Sequence, residues 1–179
     1  MIFHQAPLPG AFIIESEPAA DERGWFARTY ESSELEGHGL ESDFTQASLS
    51  YNLRRGTLRG LHWQAEPFAE AKLVSAITGA LFDVVVDVRP GSPTFGRWFG
   101  ARIDADSHRA IYIPRGFAHG FQTLVDDTTV SYHMTAPYHP EAARGVRWDD
   151  PSLGIAWPLE AVIVSLRDRS LPRLMEMAA

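Results

Sequence analysis

The chain contains no cysteine. That excludes a disulfide framework and thiolate chemistry, and it fits a reducing compartment. Long apolar runs are also missing: Val84-Val85-Val86 is bounded by Asp83 and Asp87, well short of the ~20 residues that span a bilayer. The N-terminus has no basic region followed by an apolar stretch, so no secretory signal is expected. A cytoplasmic protein without a membrane partner is the default reading. Basic charge is in deficit, with 16 Lys and Arg against 23 Asp and Glu and a net charge of −7. This argues against nucleic acid as a partner, although a few local arginines can still hold a phosphate in an acidic protein. Repeats, low-complexity segments and linkers are absent too. The 179 residues suffice for a full core and read as one domain, 1–179.

What is present is a series of short strand-like segments. Candidates are 11–15, 25–30, 44–51, 57–64, 72–78, 80–89, 98–104, 110–113, 120–125 and 128–135. Turn residues such as Thr78-Gly79 and Asp126-Asp127 separate them. Many short strands with regular turn signals predict an all-β sandwich or barrel. In the clearest strand, Phe82, Val84, Val86 and Val88 share one face and Asp83, Val85 and Asp87 share the other. Helices are few. A short one is expected over 32–36, capped by Ser32 or Ser33, and a second over 140–144, with Pro140 at its first position. The tail from Leu166 is charged, and 174–179 is expected to be helical or frayed.

Two histidines stand out. His62 lies in Leu58-Arg59-Gly60-Leu61-His62-Trp63-Gln64, and His119 in Pro114-Arg115-Gly116-Phe117-Ala118-His119-Gly120. An imidazole exchanges protons near neutral pH and also ligates metals. Arg59, His62, Gln64 and Lys72 cluster on adjacent strand candidates. Burying unpaired polar groups costs roughly 2–7 kcal/mol each, so this cluster points to a polar interior that binds something charged. Strict alternation would place Arg59 and His62 on opposite faces; a bulge at Gly60 would bring them together.

The Pro114-x-Gly116-x-x-His119 segment resembles the second motif of the cupin superfamily. Metal-binding cupins carry His-x-His in the first motif, and here that stretch is His62-Trp63-Gln64. Two histidines with Glu66 or Glu70 would make a poor ligand set for a catalytic metal, so proton transfer is the preferred reading.

Longer stretches resemble the dTDP-4-dehydrorhamnose 3,5-epimerase family, from about Gly10 to Pro172. They include Asp21-Glu22-Arg23-Gly24-Trp25-Phe26, Gly56-Thr57-Leu58-Arg59-Gly60-Leu61-His62-Trp63-Gln64, Lys72-Leu73-Val74, Gly91-Ser92-Pro93-Thr94-Phe95-Gly96 and Gly145-Val146-Arg147-Trp148-Asp149. The resemblance implies a cupin-type jelly roll and a homodimer that exchanges N-terminal strands. It also implies no metal or organic cofactor, and a nucleotide-linked 4-keto-6-deoxyhexose, dTDP-linked, as substrate. His62 would be the base, oriented by Asp168. Tyr132 would be the acid on the other sugar face, and Lys72 the cation beside the enolate oxygen. Arg23, Phe26, Gln46, Arg59, His119, Tyr138 and Arg167 would bind substrate, with Trp25 extending the wall. Read without the resemblance, Tyr132 is better taken as a core tyrosine, while Asp168 could be a surface ion-pair residue and Lys72 a solvated side chain.

Four positions depart from the family pattern: Arg28 and Ala143 stand where glutamates are expected, Ser48 for asparagine, and Arg167 for lysine. These concern nucleotide and sugar contacts. They leave open another nucleotide, epimerisation at one carbon, a keto-isomerase and a catalytically silent sugar-nucleotide-binding module.

Overall fold

The computed structural model describes residues 1–176; of the tail considered above, 177–179 lie outside them. Strands dominate, in two facing sheets and one separate two-stranded hairpin. In chain order they are β1 (Ile2–Gln5), β2 (Phe12–Glu15), β3 (Ala19–Asp21), β4 (Gly24–Phe26), β5 (Gln46–Asn52), β6 (Thr57–Gln64), β7 (Lys72–Thr78), β8 (Ala80–Asp87), β9 (Trp98–Asp104), β10 (Arg109–Ile113), β11 (Phe117–Thr123), β12 (Thr128–Met134), β13 (Ala143–Gly145) and β14 (Ile163–Val164). The helices are α1 (Ser32–Gly37) and α2 (Leu166–Arg169), with 3-10 turns at Ala105–Ser107 and Leu174–Glu176.

The first sheet runs β1-β2-β10-β7-β12-β5 and the second β13-β6-β11-β8-β9, with β14 added parallel to β6. Neighbours within the two main orders pair antiparallel. This is a cupin-type jelly roll. Val74, Ile111, Ile113 and Val130 of the first sheet meet Val85, Ile103, Phe117 and Phe121 of the second in the central core. The outer face of the second sheet is covered separately, with Leu61, Val84, Val86 and Val88 packing on Val146, Leu153 and Leu174. On the outer face of the first, Leu73 and Tyr112 cluster with Leu35 of α1. Most of the core is therefore aliphatic and β-branched, as strands buried on both faces require.

The expected alternation in β8 holds. Phe82, Val84, Val86 and Val88 point outward, while Asp83 and Val85 point between the sheets. Three local expectations fail. The strand expected over 25–30 ends at Phe26. The segment 140–144 is not a helix: its turn delivers 143–145 to the edge of β6, where Ala143 pairs with Gln64 and Gly145 with His62. Ladder hydrogen bonds outweigh the helix-start signal of Pro140. At α1, Glu31 occupies the N-cap without a side-chain bond, and Ser32 is already helical. Strands β1, β3, β13 and β14, with 4, 3, 3 and 2 residues, are too short to show a period in sequence.

Candidate active site

The site begins with a bulge. Between β6 and β11 the register runs His119↔His62 and then Phe121↔Arg59. Three steps on β6 thus oppose two on β11, so one extra residue is inserted at Gly60-Leu61. Alternation resets across it, and Arg59 and His62 both face the interior while Leu61 and Trp63 pack outward. Gly60 has φ +125°, and a Cβ there would lie 2.6 Å from Gly120 Cα. Only glycine fits both the dihedral and the close approach.

His62 and Asp168 form a tight pair, with Nε2 2.7 Å from Oδ1. Asp168 is 4% exposed, and its other oxygen, Oδ2, accepts the Gly60 N–H at 3.3 Å. Its own N–H donates to the Ser165 cap at 3.0 Å. Burial opposes ionisation of this carboxyl, but the bonds from His62 and Gly60 outweigh it and hold the group below the ordinary value of 3.8. An ionised carboxylate only accepts, so Nε2 carries the proton and a neutral ring keeps its lone pair on Nδ1.

Beside it lies a second pair. His119 Nε2 is 3.0 Å from Asp83 Oδ2. Asp83 is fully buried; its Oδ1 also lies 3.0 Å from His119 Nε2 and has no other partner among the described residues. Burial pushes this carboxyl up, against the pull of His119 and Lys72.

Opposite these pairs stands the first sheet. Tyr132 on β12 packs its ring edge-on to His119, with centroids 6.1 Å apart. Burial pushes its phenol up strongly, and the bond to Ser50 offsets only part of that; the hydroxyl stays protonated at neutral pH. Lys72 on β7 ion-pairs with Glu70 at 3.0 Å. Arg59 Nε donates to Asn52 Oδ1 at 2.8 Å.

Arg59, His62, Lys72, His119, Tyr132, Arg167 and Asp168 line one cavity of about 570 Å³. A lobe of about 210 Å³ opens from Lys72 and Tyr132 toward Gln46 and Tyr138. Gln46 Oε1 accepts the Tyr138 N–H at 3.1 Å. Seven of the eleven expected residues thus line the main cavity, and Gln46 and Tyr138 line the adjoining one, which shares Lys72 and Tyr132 with it. Arg23 and Phe26 line neither. They sit on the β3–β4 hairpin, where Arg23 pairs with Asp21 two residues away and Phe26 is 78% exposed. Every residue from 17 to 26 is exposed.

A sequence model of the dTDP-4-dehydrorhamnose 3,5-epimerase family matches residues 5–176. The chain belongs to this family. It is 46% identical to the dTDP-4-dehydrorhamnose 3,5-epimerase of Methanothermobacter thermautotrophicus, over 97% of this chain and 95% of that one. The crystal structure of the Bacillus anthracis enzyme with TDP and PPi bound is 41% identical, covers 96% of this chain and 98% of that one, and superposes with a TM-score of 0.93. The Legionella pneumophila structure in complex with dTDP-4-keto-L-rhamnose is 38% identical, with 97% and 93% coverage and a TM-score of 0.92.

Among the four departures from the family pattern, Ser48 and Arg167 line the main cavity. Ala143 lines a smaller recess beside His62, Lys72 and Arg144. Arg28 lies outside these cavities, 3.5 Å from Glu31. Asp83 is the site residue that sequence reasoning missed. The signal was there, a charge in a valine strand, but its partner is 36 residues away. Glu70, considered above as a weak metal ligand, instead has its carboxylate engaged by Lys72 and Gln64. No group of three or more His, Asp or Glu is arranged to hold a metal among the described residues. No helix among them is long and apolar enough to cross a membrane. A larger groove of about 740 Å³ lies on the outer side of β6, around Trp63 and Phe95. Its arginines are engaged: Arg89 with Asp87 and Arg115 with Glu41, each at 2.7 Å, and Arg144 with two carbonyls.

Proposed function

We propose that this protein epimerises a dTDP-linked 4-keto-6-deoxyhexose at C3 and C5, using its own side chains for the proton transfers. One observation carries the reading: His62, bonded to Asp168 of α2, and the Tyr132 phenol stand on opposing sheets, and all three line a single cavity. A carbon beside a ketone is acidic because its conjugate base is an enolate. Neutral His62 takes that proton, and ionised Asp168 orients the ring and stabilises the imidazolium. The negative charge moves to the ketone oxygen, where the Lys72 ammonium stabilises it before water has to reorganise. Tyr132, kept protonated by burial, returns a proton from the opposite face. The electron pair of the broken C–H bond ends in the new C–H bond, and the configuration is inverted.

Arg59 and Arg167 are the cations for the diphosphate, since a planar guanidinium fork suits phosphate oxygens. Gln46 and Tyr138 extend the wall toward the nucleotide, and His119 contacts the sugar. Arg23 and Phe26 act in trans: the exposed 17–26 hairpin reaches the cavity of a second copy in a homodimer. An apolar and cationic finger, exposed over all of 17–26 and resting on its own chain through Trp25 against His108, supports that assignment.

The test is to incubate the protein with dTDP-4-keto-6-deoxyglucose in deuterated water and follow the sugar by NMR. Deuterium at both C3 and C5 is expected. No incorporation at either carbon would reject the proposal.

A further inference from the structure

Lys72 does not hold its own position. It is the first residue of β7, and its side chain is a flexible four-carbon stem ending in a point charge. In the cavity it is 12% exposed, and its Nζ lies 3.0 Å from Glu70 Oε1, a carboxylate itself only 6% exposed. The other oxygen of Glu70 accepts from Gln64 Nε2. Gln64 is 5% exposed and lies two residues beyond His62 on β6. The same amide nitrogen reaches Phe68 O at 3.0 Å and Pro137 O at 3.1 Å, and its Oε1 accepts the His139 N–H at 2.5 Å. One amide therefore ties the end of β6, the approach to β7 and the 137–139 segment around a single carboxylate.

Stability is a poor reason for that carboxylate. Desolvating an ion pair commonly offsets its attraction, and a well-packed apolar pair would serve as well. Beside a developing enolate, a second negative charge even weakens the field of the ammonium. What the carboxylate does supply is a fixed seat. An ammonium acts on a transition state only if it is already in place when the charge develops, and misplacing it by about 1 Å can cost about 100-fold.

We propose that Glu70 is the positioning residue for Lys72, anchored in turn by Gln64. The inference rests on the reading of Lys72 as the enolate cation. Positioning implies that Glu70 acts through Lys72, so the two substitutions should not add.

The experiment measures kcat and KM for dTDP-4-keto-6-deoxyglucose, and dTDP affinity by calorimetry. The variants are Glu70→Ala, Glu70→Gln, Lys72→Ala and the double Ala variant. Glu70→Ala is expected to lower kcat about 10–100-fold, the range for a lost supporting contact, with KM and dTDP affinity nearly unchanged. Glu70→Gln keeps an oxygen for the ammonium and should restore most of the rate. The double variant should be no slower than Lys72→Ala alone. The proposal is overturned if Glu70→Ala costs the same factor in the Lys72→Ala background, if it leaves kcat intact, or if its whole effect lies in dTDP affinity. Should the alanine variant fail to fold, Glu70→Asp takes its place. It retracts the seat by one methylene, and an unchanged kcat would overturn the proposal. Full solvent exchange by Lys72→Ala would instead remove the enolate role itself, a separate failure read from a separate variant.

Discussion

Two histidine–aspartate pairs stand side by side on β6 and β11, and they differ in nearly everything except composition. His62 is open to the cavity, with 36% of its side chain exposed. Its partner Asp168 has two further hydrogen bonds and stays ionised more readily than usual. His119 is 5% exposed. Its partner Asp83 is sealed in the core, where one His119 nitrogen serves both carboxylate oxygens, and burial pushes it toward the neutral acid. On the proposed reading, solvation and donor count, not the identity of the dyad, decide which histidine works as a base. Helix α2 supplies the difference. It brings a capped, hydrogen-bonded carboxylate to His62 from outside the sheets, whereas Asp83 comes from within β8.

Two substitutions would break or sharpen this contrast. The largest effect is expected at Asp168→Asn. An amide can force the wrong tautomer on His62, and loss of such an orienting acid in the hydrolase triad costs about 10⁴-fold. Steady-state deuterium exchange should fall by about 10³–10⁴-fold. Asp83→Asn should cost much less, about 10-fold or below, because its imidazole is not the base. A ranking in the other order would reverse the roles assigned to the two pairs.

The same two carboxylates should differ in the pH dependence of stability. The Asp168 carboxyl is lowered on folding, so its contribution is complete above 3.8 and is lost as pH falls through the depressed folded value. The Asp83 carboxyl is raised, so its contribution is complete below 3.8 and is lost as pH rises through the elevated folded value. Urea midpoints measured across pH should therefore lose their acid-side slope in Asp168→Asn. Asp83→Asn should flatten the slope above 3.8 instead. Parallel curves for both variants would contradict the difference in environment.

A smaller effect separates the exposed hairpin from the cavity. Arg23→Ala protomers, weakened alone, and His62→Ala protomers, inactive alone, should regain activity when mixed and reassociated. In a mixed dimer one cavity holds both wild-type residues, so random pairing restores about a quarter of wild-type turnover. No recovery on mixing would place Arg23 on the cavity of its own chain, or outside the reaction.

Much of this was legible in sequence. β6, β7 and β9 have the expected bounds, because period-two patterning and flanking turns agree there. Gly60 could be read as a bulge, since Arg59 and His62 could not otherwise share a face. Asp168 was less legible. In the sequence Arg167-Asp168-Arg169 is an ordinary charged surface run, and only the parallel β14 and the Ser165 cap bury its middle residue. Asp83 and Glu70 were hidden for a related reason: periodicity reports which face a side chain takes, not which partner waits there. Ala143–Gly145 was misread because a proline followed by short residues starts a helix or a turn equally well, and only the free edge of β6 decides between them.

The central claim is that base and acid stand on opposite walls, His62 on the second sheet and Tyr132 on the first. Its most direct test is to follow C3 and C5 of dTDP-4-keto-6-deoxyglucose in deuterated water with Tyr132→Phe and His62→Ala side by side. The account predicts that His62→Ala abolishes exchange, whereas Tyr132→Phe still exchanges with solvent but returns the sugar without inversion. Equal loss of exchange in both variants, or inverted product from Tyr132→Phe, would contradict it.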